Sequence, residues 1–154
     1  MISRRIFSVI AAASAALLFT STAAQAGNAH FIASQTSVSQ SGTALTVKFK
    51  EAGLESGSTE TIQVSAHLDA TYSCVNGGKK VPSDPKKTTV SGDFQQSGTF
   101  TAAKNGNLLG SLSVTGPAAS SVLDCPPGQR ATLVAAAWSS ITIDDLTSGA
   151  HLEL

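Results

Sequence analysis

The chain has 154 residues, with ten basic and ten acidic side chains, 13% charged and 42% hydrophobic residues. So balanced a charge gives no long-range pull on phosphate backbones or anionic lipid, which argues against a nucleic-acid partner. No segment reaches the roughly 20 consecutive apolar residues of a membrane-spanning helix.

The N-terminus carries Arg4 and Arg5, an apolar stretch over 6–19 and the small residues Ala24-Gln25-Ala26. This pattern predicts a secretory signal cleaved after Ala26 and a soluble exported product, extracellular or periplasmic. Ser3-Arg4-Arg5-Ile6-Phe7 also resembles the start of a twin-arginine signal, so both export routes stay open. Removing residues 1–26 leaves eight basic against ten acidic residues, a net charge of about −2, in a single domain over 27–154.

Strand signals then follow one another, separated by Gly, Ser, Asn and Pro, and no stretch carries apolar residues at helical spacing. Strands are predicted at 30–37, 43–50, 61–74, 88–94, 98–103, 108–115, 120–125 and 131–146. The clearest is 61–74, where Ile62, Val64, Ala66, Leu68, Ala70, Tyr72 and Cys74 alternate with polar residues. Side chains on a strand point to opposite faces with a period of two, so this segment has one dry face, and Cys74 is on it. At 14 and 16 residues, 61–74 and 131–146 exceed ordinary strands and are expected to bend or bulge. Asn76-Gly77-Gly78 and Asn105-Gly106-Asn107 are expected to supply the positive φ of tight turns. Seven to eight short strands in a chain of this length predict an all-β antiparallel two-sheet sandwich of immunoglobulin-like type, with a closed barrel as the alternative. Trp138 follows the second cysteine instead of lying between the two, so the antibody-type tryptophan pattern does not hold.

Two cysteines in an exported chain are most economically read as one disulfide, Cys74–Cys125, which in the loop-closure model removes roughly 4 kcal/mol of unfolded-state entropy. Free thiols used for redox or metal chemistry are the alternative, but there is no Cys-x-x-Cys pair.

The blocks Lys50-Glu51-Ala52-Gly53-Leu54, Cys74-Val75-Asn76-Gly77-Gly78, Pro85-Lys86-Lys87 and Cys125-Pro126-Pro127-Gly128-Gln129 resemble an uncharacterised family of small exported bacterial single-disulfide β proteins, common in actinobacteria. That resemblance spans most of 27–154 and implies no activity and no site residues. Over 42–58 the chain is also similar to the opening strands of the neocarzinostatin-type apoproteins, immunoglobulin-like sandwiches that carry an enediyne in a cleft. Those hold two short-span bridges where this chain has one long one; the similarity implies a sandwich.

The polar side chains offer several constellations. His67 and Asp69, flanked by Ser65 and Thr71, lie on the wet face of 61–74, but no Gly-x-Ser-x-Gly elbow accompanies them, so they read as a solvated face. His30, His67 and His151 would form a zinc site only if three distant segments converged. Asp124, Asp144 and Asp145 lack the spacing of a calcium loop and read as solvated strand ends. Lys79, Lys80, Lys86 and Lys87 put four lysines in nine positions on a proline-stiffened loop. They read either as a binding loop for an acidic partner or as guards of a neighbouring edge strand. Pro126, Pro127, Gly128 and Arg130 form a rigid loop beside the bridge, the shape of a protease-inhibitor bait. No catalytic or metal motif is found and no cofactor is expected. The expectation is a non-enzymatic exported module meeting an unknown macromolecule or polysaccharide of the envelope or exterior. The alternatives are a small-molecule carrier with a cleft near Trp138, Phe94 or Phe100, and a protease inhibitor.

Overall fold

The computed structural model describes residues 27–154 apart from Lys79 and Asp84; the predicted signal segment lies outside the described residues. Eight strands, β1 (His30–Phe31), β2 (Ser37–Ser41), β3 (Ala44–Ala52), β4 (Thr59–Asn76), β5 (Lys87–Thr101), β6 (Leu108–Thr115), β7 (Gln129–Asp145) and β8 (His151–Glu153), are joined by a 3-10 turn at Ala33–Gln35 and one short helix, α1 (Ala119–Val122). They form two antiparallel four-stranded sheets, a sandwich. In the first sheet β1 pairs with one end of β3 (Phe31↔Glu51) and β2 with the other (Val38↔Val47), while β6 covers the opposite edge of β3 from Ala44↔Thr115 to Glu51↔Leu108. The second sheet has the order β5-β4-β7-β8.

Alternation decides what lies between the sheets. The apolar set Ile62, Val64, Ala66, Leu68, Ala70, Tyr72 and Cys74 is buried, as are Leu45, Val47 and Phe49 on β3. One cluster gathers Phe31, Phe49, Leu108, Leu112 and Val114 against Ile62, Val64 and Ile143. A smaller one packs Leu123 of the segment after α1 onto Leu68, Tyr72 and Cys74. Burying each large side chain contributes about 1.5–3 kcal/mol. Phe49 and Phe100 link the layers edge to face, with centroids 5.3 Å apart, and Phe94 and Trp138 pack edge to face within the second sheet at 6.0 Å. The smaller cluster is stapled by the disulfide Cys74–Cys125, Cα atoms 5.6 Å apart, and by the Tyr72 hydroxyl donating to the Pro117 carbonyl at 2.7 Å.

Several elements differ from the sequence reading. The stretch 30–37 is interrupted by the 3-10 turn. The stretches 88–94 and 98–103 are one strand, β5, because Gln95–Ser97 keep step with β4. Gly98 is not a break but a packing position, where a Cβ would lie 2.8 Å from Leu112 Cδ2. The predicted strand 120–125 starts as α1, closed by Leu123 N–H donating to the Ala119 carbonyl. β8 is an addition to the predicted set. The expected irregularity of 131–146 is present: β7 slips against β4 at Thr71/Tyr72 and at Ser65/His67, the second slip marked by Ser140 at φ 49°. Gly106 takes the expected positive φ of 72°, whereas Gly77 and Gly78 do not.

Candidate functional site

The side chains of β4 that miss the core form, with their neighbours, the outer face of the second sheet. Register brings them together in rows. Asp69 lies between Ser91 of β5 and Ala137 of β7, and Thr71 lies between Thr89 and Ala135. These six residues line an open groove of about 490 Å³. The short alanine side chains leave the space. Asp69 provides the carboxylate, and Thr71, Thr89 and Ser91 provide hydroxyls, each able to donate and accept.

The next row is a hydrogen-bonded chain. His67 Nδ1 meets Asp93 Oδ1 at 2.6 Å, its Nε2 meets Ser91 Oγ at 3.1 Å, and Asp69 Oδ1 lies 3.7 Å from Nε2. The sequence reading sets His67 and Asp69 on a solvated face flanked by Ser65 and Thr71; Asp69 is indeed a neighbour at 3.7 Å, but the closer partners come from β5, which a single-strand pattern does not display. The connectivity is that of a Ser-His-Asp relay, yet it follows from the sheet itself: Asp93 is directly opposite His67 and Ser91 is its diagonal neighbour. The Asp93 side chain is 90% exposed. The hydrogen bond from the imidazole to the Asp93 carboxylate, opposed by partial desolvation and reinforced by the charges of Asp93 and Asp69, raises the His67 pKa above its ordinary value. A second pair lies beyond it. His151 Nδ1 meets Asp144 Oδ1 at 2.6 Å, and this contact raises the His151 pKa in the same way. Gln63, between Asp144 and Ser97 on this face, bonds Gln95 and Ser97 at 3.2 Å.

The other sequence candidates lie elsewhere. Lys79 is outside the described residues. The Lys80 and Lys86 carbonyls accept from Asn76 N–H and Cys74 N–H, the Lys86 ammonium donates to the Asp124 carbonyl at 2.8 Å, and Lys87 opens β5 opposite Ser73. The lysine loop thus folds back on the end of β4. Pro126, Pro127 and Gly128 form a tight turn closed by Gln129 N–H donating to the Pro126 carbonyl at 3.0 Å, with Gly128 at φ 82° where glycine is favoured. Arg130 follows on β7, exposed, opposite Val75. His30, His67 and His151 stand on β1, β4 and β8, and among the described residues no three His, Cys, Asp or Glu side chains gather as a metal-ligand set. Trp138, Phe94 and Phe100 pack against the core and do not line the groove.

One cluster escaped the sequence reading. Glu51, Glu60 and Asp145 are 0%, 3% and 1% exposed, between the sheets at the end where β1, β3, β4 and β7 meet. Asp145, expected as a solvated strand end, is therefore buried: it follows Ile143 on the inward parity of β7. Ser148 Oγ donates to Glu51 at 3.2 Å, Thr147 N–H to Asp145 at 2.8 Å, and the Ser58 hydroxyl to Glu60. Burial first, then the charge and hydrogen bond of Asp145, push the Glu51 pKa up to about 8, so its carboxyl holds a proton at neutral pH. The signal was in the sequence. Glu51 continues the series Leu45, Val47, Phe49, and Glu60 precedes Ile62 and Val64 on the same parity.

The comparisons with known proteins found no matching family model, no matching curated protein and no matching solved structure.

Proposed function

We propose that the chain is an exported, non-enzymatic binding module of the cell envelope or extracellular space, and that it takes an extended polar ligand, a polysaccharide, along the outer face of β5-β4-β7. The groove carries this reading: one carboxylate and three hydroxyls over a floor of alanine methyls suit sugar hydroxyls, whose hydrogen bonds are directional and whose ring CH groups need only a shallow apolar shelf. Export is supported by the N-terminal pattern over 1–26 and by the disulfide, which fits an oxidising compartment; among the described residues no helix is long and apolar enough to cross a membrane. The lysine loop is the weaker candidate, since Lys86 is already engaged with the Asp124 carbonyl.

Co-sedimentation with insoluble cell-wall polysaccharide tests the assignment. The triple variant Asp69→Ala, Thr71→Ala, Ser91→Ala is expected to be retained at least about tenfold less than the wild type, the loss of two or three hydrogen bonds. Undiminished retention of that variant, with loss on neutralising Lys79, Lys80, Lys86 and Lys87, would move the site to the loop. A hydrolytic second reading draws on the Ser91–His67–Asp93 chain. It requires Ser91 to be labelled by a serine-directed phosphonate and His67→Ala to abolish the labelling.

A further inference from the structure

Strand order leaves β5 at one edge of the second sheet. It is fifteen residues long and runs against β4 in unbroken register from Thr59↔Thr101 to Ser73↔Lys87. The edge strands β2, β6 and β8 have five, eight and three residues. Proteins usually guard a long edge with proline, a bulge or lysines, because its unpaired N–H and C=O groups are a template for another strand. Between Thr88 and Thr101, β5 has no proline, no bulge against β4 and a single charge, Asp93.

The direction of its free groups follows from one hydrogen bond. Cys74 N–H donates to the Lys86 carbonyl at 2.9 Å. Antiparallel pairing alternates bonded and non-bonded positions, so Thr88, Val90, Gly92 and Phe94 turn their backbone groups to β4, and Lys87, Thr89, Ser91 and Asp93 turn theirs to the free edge. The same four place their side chains on the outer face. A basic residue and an acidic one thus stand six positions apart on one free edge.

We propose that this edge pairs with a second copy of the chain, β5 antiparallel to β5, about a twofold axis at Val90. In that register Lys87 faces the partner's Asp93 and Thr89 faces the partner's Ser91, each contact occurring twice by symmetry. A slip of two residues either way separates both charge pairs. Slid one way, Lys87 meets the partner's Gln95; slid the other, it meets the partner's Ser91. Strand addition supplies the association and the two exposed ion pairs choose the register. On the inner side Val90, half-buried at the rim of the smaller cluster, meets the partner's Val90. Because β5 begins at Lys87, this register pairs Lys87 through Asp93 and leaves outside the seam the far half, whose inner side packs Phe100 on Phe49 and Gly98 against Leu112.

The pairing makes one continuous eight-stranded sheet. Thr89 and Ser91, one wall of each groove, then lie at the seam, and the two grooves run into a single trough with an Asp69 in each half. The association needs no ligand, so its failure would leave the assignment of the groove intact.

Sedimentation velocity on the full exported chain at low salt, over concentrations up to the millimolar range, tests it. The wild type is expected to dimerise with concentration. Lys87→Glu and Asp93→Lys, each placing like charges opposite one another, are each expected to weaken self-association at least about tenfold. An equimolar mixture of the two variants restores a heterodimer, since the acid introduced in one then faces the base introduced in the other. Circular dichroism confirms folding of each variant; Asp93→Asn, which removes attraction without adding repulsion, replaces Asp93→Lys if the latter does not fold, and is expected to weaken the dimer. A wild type monomeric throughout, single variants that dimerise like the wild type, or a mixture of folded variants that stays monomeric would each overturn the proposal.

Discussion

Asp144 and Asp145 are adjacent on β7, yet one lies on the open face bonded to a histidine and the other is sealed between the sheets with no base beside it. The same division separates Asp69 and Asp93 from Glu51 and Glu60. On the open face, water and a neighbouring imidazole receive the carboxylate, and the histidine gains the tendency to protonate. In the interior, no cation is at hand, and the carboxyl of Glu51 responds by keeping its proton. Strand parity, more than residue type, decides what an acid does in this molecule.

The largest expected effect comes from crossing that boundary on β4. Val64 is fully buried, and Val64→Asp places an acid on the inward parity without the hydroxyls that serve Glu51 and Glu60; urea denaturation is expected to show a loss of about 3–5 kcal/mol. Gln63→Asp, one residue away on the outer face, faces Asp144 and gives up the bonds to Gln95 and Ser97, yet is expected to cost no more than about 1 kcal/mol. Equal losses for the two would break the comparison. A smaller effect tests the proton. Because the folded pKa of Glu51 is raised to about 8 from an ordinary 4.5, the folded state holds a proton that the unfolded chain releases, so stability falls as pH rises from about 4.5 to about 8 and then levels. His67 and His151 act in the same sense, since their raised pKa contributes stability below the ordinary histidine value that is lost as pH rises through the folded one. Glu51→Gln keeps the shape and removes the titration. It is expected to gain about 1–3 kcal/mol on the wild type at pH 9 and to leave only the shallow histidine-dependent slope, read from melting curves between pH 4 and 9. A variant with the wild-type slope would show that Glu51 is ionised in the fold.

The sandwich is legible because alternation is a local signal. Ile62 to Cys74 displays its buried face without reference to any other strand, and the disulfide follows from the number of cysteines and the signs of export. What stays hidden is relational. β5 reads as two strands because Gln95, Gln96 and Ser97 resemble a turn, and only their pairing with Gln63 to Ser65 shows otherwise. α1 is invisible because four residues of helix carry no periodicity. His67 is visible as an outward histidine, but its partners Ser91 and Asp93 are set by register across 24 and 26 positions. The groove exists because Ala135 and Ala137 fall beside Asp69 and Thr71, a match that depends on the slip between Thr71 and Tyr72. The buried acids are the instructive miss, since their parity is in view and the habit of placing acids in water overrides it.

Backbone amide chemical shifts followed by NMR while soluble cell-wall polysaccharide is added test the working surface most directly. The groove assignment expects the perturbed amides to cluster at residues 69–71, 89–91 and 135–137. Perturbations confined to the lysine loop at 80–87 or the rigid turn at 126–130, with the sheet face unmoved, would contradict it.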